Sequence, residues 1–104
     1  MLDNRLTISG KHSFYDFESI TIADTAIGLT VSKLDTARRP ISILITFETA
    51  PVRWRADGVD PEDTEGHIQN PMSSLTIEGY HNMKNIKFIR TGAASGIAKV
   101  SYRR

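Results

Sequence analysis

A period of two constrains this chain more than any other feature. Apolar and polar residues alternate along short pieces. No amphipathic helical pattern persists for about ten residues. Glu18-Ser-Ile-Thr-Ile22 puts Ile20 and Ile22 on one side, and Ile27-Gly-Leu-Thr-Val31 does the same with Ile27, Leu29 and Val31. Ile41 to Phe47 sets Ile41, Ile43, Ile45 and Phe47 against Ser42, Leu44 and Thr46. Val52 and Trp54 oppose Arg53 and Arg55, and Ser74 to Ile77 alternates again. Lys84 to Arg90 and Ile97 to Tyr102 close the series, the last with Ala98, Val100 and Tyr102 on one face. This is the pattern of half-buried strands.

Breakers separate the pieces: Thr36-Ala-Arg-Arg-Pro40, Ala50-Pro51, Asp57-Gly58, Asp60-Pro61, Asn70-Pro71 and Thr91 to Gly96. The last reads as a hairpin loop, and a single helical turn fits near Tyr80 to Lys84. About seven or eight short strands punctuated this way predict an all-β, single-domain antiparallel β-sandwich, jelly-roll-like in its strand spacing. At 104 residues there is room for one core, and 39% hydrophobic residues suffice to fill it. The boundaries read as an N-terminal arm over 1–17, suited to contacting a partner, and a sandwich over 18–104. Phe14-Tyr-Asp-Phe17 is too aromatic for a solvated tail and is expected to pack on a partner or on the sandwich.

Composition removes several function classes. There is no Cys, hence no disulfide framework, thiolate nucleophile or Cys-based zinc site. A net charge of +1 speaks against a dedicated nucleic-acid binder. The N-terminal stretch is broken by Asp3, Arg5 and Lys11, so no signal-peptide core is expected. The most apolar run, Pro40 to Phe47, is far short of the roughly 20 residues that span a bilayer. Synthesis in the cytoplasm without membrane contact is the expectation.

The search for chemistry finds little. His12, His67 and His81 stand apart from one another in sequence and make no zinc-hydrolase frame. No nucleophile elbow or phosphate-cradling loop is present. Asp57, Asp60, Glu62, Asp63 and Glu65 crowd one segment, but without the spacing of an EF-hand loop. Arg53 and Arg55, on the preceding strand, are the expected counter-charges. No catalytic residue, metal or cofactor is assigned, and the chain is read as not an enzyme. Lys87, Lys99 and the terminal arginines are expected to share a face of the last hairpin. Trp54 is expected in the core and Tyr80 to be the most exposed aromatic.

The sharpest local motif is Val52-Arg-Trp-Arg-Ala-Asp-Gly-Val-Asp-Pro61, a strand running into a turn. Gly58 supplies a positive φ, the Asp57 and Asp60 carboxylates accept local N–H groups, and Pro61 fixes the exit. Asp57, Gly58, Asp60 and Pro61 are therefore read as a structural corner. The D-G-x-D-P turn resembles that of β-sandwich modules at the C-termini of chitobiase and hexosaminidase-type enzymes. An ordered set, Ile20–Thr30, Ala37-Arg38-Arg39, Glu48–Pro61, Gly66-His67 and Ile89–Ala93, is similar to small virion structural proteins of tailed bacteriophages and prophages. The second resemblance implies a non-enzymatic virion component, such as a head decoration, collar or tail-associated protein. It would assemble with its own copies and with other virion proteins. Phe14, Tyr15, Phe17, Arg38, Arg39, Arg53 and Arg55 are the candidate interface. The first resemblance implies a rival, a carbohydrate-binding accessory module.

Overall fold

A computed structural model describes residues 13–34 and 39–104. The residues before Ser13, which include His12 and most of the expected arm, lie outside the described residues, as does Arg38. The chain folds as two antiparallel four-stranded sheets packed face to face, the β-sandwich expected from the alternation. Its elements are β1 (Phe14–Ile22), β2 (Ile27–Gly28), α1 (Val31–Leu34), β3 (Ser42–Glu48) and β4 (Val52–Arg55). They continue with β5 (His67–Gln69), β6 (Ser74–Glu78), α2 (Tyr80–Asn85), β7 (Lys87–Arg90) and β8 (Gly96–Arg103). One sheet runs β1-β8-β3-β6 and the other β2-β7-β4-β5. Only β4 and β5 are both consecutive in the chain and hydrogen-bonded to each other; every other connection crosses between the layers.

The core follows the alternation. Ile20 and Ile22 of β1, Ile43, Ile45 and Phe47 of β3, and Ala98, Val100 and Tyr102 of β8 are buried on the inner face of the first sheet. Val52 and Phe88 face them from the second, with the Phe47 and Phe88 rings 6.0 Å apart. Burial of such side chains, worth about 1.5–3 kcal/mol each, is what holds the layers together.

Several expectations need correction. The segment Thr91 to Gly96 is not a hairpin loop: β7 pairs with β2 and β4, while β8 pairs with β1 and β3, so it carries the chain from one sheet to the other. Lys87 and Lys99 accordingly lie on different sheets and share no face. The strand expected over Ile27–Val31 stops at Gly28, and Val31–Leu34 turns into α1. That turn buries Leu34 and brings Lys33 Nζ to 3.0 Å from the Asp16 carboxylate, contacts that local alternation does not encode. The helical turn at Tyr80 extends to Asn85, so β7 begins at Lys87 rather than Lys84. The short β5 was not anticipated. The first sheet begins at Phe14 rather than residue 18, because residues 14–17 continue the ladder onto Ser101, Tyr102 and Arg103.

Where β8 enters the sandwich it passes β4 at very short range. A Cβ on Gly96 would sit 2.5 Å from Val52 Cγ1 and 2.9 Å from the Ala50 carbonyl oxygen. Two layers cannot absorb that overlap without moving apart. Gly96→Ala is expected to destabilise the fold by about 1–3 kcal/mol in urea unfolding. Gly92→Ala, where a new Cβ meets nothing within 4 Å, is expected to leave the midpoint almost unchanged.

Candidate functional site

The turn that drew attention in the sequence is an anchored structure folded against the second sheet. Gly58 has φ 87°, the left-handed conformation expected of it. Asp57 accepts the Val59 amide at 3.3 Å and a two-pronged contact from Arg55, with Nε at 3.1 Å and the second nitrogen at 2.5 Å. Asp60 pairs with Lys87 at 3.4 Å rather than with a local N–H, and Pro61 is buried. Glu62 and Glu65 exchange backbone hydrogen bonds at 2.9 and 3.1 Å, closing a small ring of chain. Arg53 does not neutralise the acids directly. Its guanidinium donates to the Asp63 and Gly66 carbonyls at 3.2 and 2.8 Å, tying the far limb of the loop to β4. Gly66 allows that close approach: a Cβ there would lie 3.1 Å from the Trp54 carbonyl oxygen and 3.3 Å from Arg53 Cβ.

Beside this turn lies an open cleft of about 510 Å³, with Trp54, Arg55, Asp57, Glu65 and His67 on its walls. Trp54 is half-buried at the rim of the core, not inside it. It shares the inner face with Val52, but its cross-strand neighbour is His67, whose ring centroid is 4.7 Å away at 36°. Because β5 is short and at the edge, the indole is partnered there by the exposed His67 ring and stays only half-buried, while Val52, with β8 close by at Gly96, is fully buried. The indole is held in place: Nε1 donates to Gln69 Oε1 at 3.2 Å, and the Gln69 amide donates to Ser73 Oγ at 2.8 Å and to the Ser74 carbonyl at 3.2 Å. His67 appeared in the sequence only as a loop residue; its pairing with Trp54 required β5. Among the described residues no group of three His, Cys, Asp or Glu side chains is placed to hold a metal ion.

The remaining interface candidates are scattered. Phe14 and Phe17 lie on the outer face of β1, 37% and 55% exposed. A bulge at Tyr15 makes this possible: Phe14 pairs with Arg103 and Phe17 with Ser101, which point the same way. Tyr15 packs against the core, with the Arg104 guanidinium 5.5 Å from its ring. Arg39 stacks on Tyr80 at 4.0 Å, which covers the aromatic expected to be most exposed. On this outer face Phe14 has Arg103 as its cross-strand neighbour and Phe17 has Ser101.

A polar cluster was missed. Glu18 shares the inner face of β1 with Ile20 and Ile22. Its carboxylate accepts hydrogen bonds from the buried Tyr102 hydroxyl, from Thr30 Oγ1 and from the Thr30 amide, the last at 3.2 Å. Burial, reinforced by the bond to Glu18, pushes the Tyr102 hydroxyl well above its ordinary range and keeps it a donor. The signal was present in the alternation, since Asp16 and Glu18 continue the inward register of Ile20 and Ile22.

Compared with family models, curated proteins and solved structures, the chain matches none.

The hydrogen bonds from Arg55 hold the Asp57 carboxyl down at about 2, below the ordinary value of 3.8. A depressed carboxylate stabilises the native turn above the ordinary value and loses that contribution as pH falls toward 2. NMR titration of Asp57 is expected to show this low midpoint, and Arg55→Gln is expected to return it toward the ordinary range.

Proposed function

We propose that this chain is a non-enzymatic structural component of a tailed-phage virion, a decoration, collar or tail-associated subunit that acts by assembling with itself and docking on a larger particle. The observation that carries the reading is the placement of Phe14 and Phe17. Both rings are exposed on the outer side of β1, which bonds β8 along one edge and no strand along the other among the described residues. The row beside Phe17, Ser101, Leu44 and Thr76, carries no charge. Two exposed rings and an uncharged row next to an open strand edge suit edge-to-edge pairing with a second copy, which satisfies backbone groups and removes the rings from water together. The asymmetry between faces supports assembly over catalysis. The cationic side chains Arg53, Arg55 and Lys87 of the second sheet are engaged by their own loop, whereas Phe14 and Phe17 stay exposed on the outer side of β1. The ordered resemblance to virion proteins adds the particle as destination, reached from the host cytoplasm, with no role for membrane, nucleic acid or cofactor.

Two measurements test the reading. Size-exclusion chromatography with light scattering is expected to find an oligomer. Phe14→Ser/Phe17→Ser is expected to return it to monomer with the strand circular dichroism intact. Mass spectrometry of particles purified from the encoding organism is expected to find the chain in fixed proportion to the major shell protein. A wild-type monomer at every concentration, or particles lacking the chain, would overturn it.

A further inference from the structure

We infer that the cleft between Trp54 and Glu65 is a binding site for a neutral saccharide, a role that goes beyond assembly and stands without it. Once internal bonds are counted, the walls still offer several polar groups. Asp57 is committed: it receives two guanidinium hydrogens and the Val59 amide. Arg55 has spent only part of its fork of five donors on Asp57. The Glu65 side chain is exposed and makes no hydrogen bond or ion pair among the described residues, although its backbone is fixed by Glu62. The exposed His67 imidazole presents one donor and one acceptor in its neutral form. The cleft therefore combines a donor, an acceptor, a group that is both, and the part of the indole that the core and His67 leave uncovered.

That mixture selects against simple ions. An anion drawn to Arg55 meets Asp57 and Glu65, and a cation drawn to Glu65 and the indole meets Arg55. A neutral molecule with hydroxyls along its rim and C–H groups to set against the uncovered part of the indole meets no such opposition. Each hydroxyl both gives and accepts, so it can bond to Glu65 and Arg55 at once. About 510 Å³ lies within the ordinary range for small-ligand sites and is open enough to admit an internal residue of a longer glycan.

The site is also preorganised. The Trp54–Gln69–Ser73 relay fixes the indole, the Arg55–Asp57 fork fixes the guanidinium, and Arg53 fixes the loop that carries Glu65. Little ordering then remains to be done on binding.

The chain's single tryptophan makes the site directly observable. An immobilised-glycan array reports binding anywhere on the surface, while Trp54 fluorescence reports the cleft alone. Titration of the full chain with maltose, cellobiose, lactose and diacetylchitobiose, and with the best array ligand, is expected to shift or quench Trp54 emission in a saturable way. Glu65→Gln, on an exposed loop where folding is not at risk, is expected to weaken that ligand about tenfold, the effect of replacing a charged hydrogen-bond acceptor by a neutral one. Array binding with unchanged Trp54 emission, array binding indifferent to Glu65→Gln, or an array without hits would each overturn the assignment. None of these outcomes bears on the oligomeric state.

Discussion

The close passage of Gly96 over Val52 sets the geometry of everything between the sheets. It pins the two layers together at one end of β8, with backbone and side chain in direct contact. From there the inner positions of β8 grow along the strand: Gly96, Ala98, Val100, Tyr102. The space between the layers has to widen to accommodate them. At the wide end the chain inserts what a two-layer core would otherwise lack. α1 contributes Leu34 and α2 contributes Met83, both buried in the common cluster. The helices are short because their task is to plug a wedge, and neither carries an amphipathic stripe long enough to be read from sequence.

The same wide end accounts for the inward carboxylates of β1. An edge strand whose inner face were wholly apolar would leave a hydrophobic border open to solvent and to other chains. Here Asp16 and Glu18 occupy the inner register; Lys33 meets the first, and Thr30 together with Tyr102 of the neighbouring β8 meets the second. These contacts close the mouth of the core and fasten residues 30–33 against the first sheet. The outer side of the same strand has the opposite character, with Phe14 and Phe17 in solvent. The first half of β1 thus has charged residues inward and aromatic ones outward, the inverse of the usual arrangement, which the second half restores with Ile20 and Ile22 buried. The proposed assembly surface rests on this local inversion.

On the other sheet the charged residues largely serve the fold. Arg53, Arg55 and Lys87 bind the loop between β4 and β5 through carbonyls and carboxylates, with Arg55 and Lys87 pairing two of its five acids, Asp57 and Asp60. The cleft beside Trp54 lies between the half-buried indole and the anchored loop, with Asp57, Glu65 and Gly66 on its walls.

Strand existence and the inward faces of β3 and β8 were legible in the residues alone, because a pleated strand alternates and water enforces which side is apolar. The positive φ at Gly58 was legible for a similarly local reason, the absence of a Cβ. Which strands pair was not legible. Thr91 to Gly96 looks like a hairpin loop, and only the packing of β8 between β1 and β3 makes it a crossing. The bulge at Tyr15 puts Phe14 and Phe17 on one face although their spacing would put them on opposite faces. Trp54 became a cleft wall and not a core residue because its row in the sheet ends at a short edge strand. Local alternation determines the strands and their apolar sides; long-range contacts, which no local pattern carries, decided the sheet order, the α1 turn and the exposed rims.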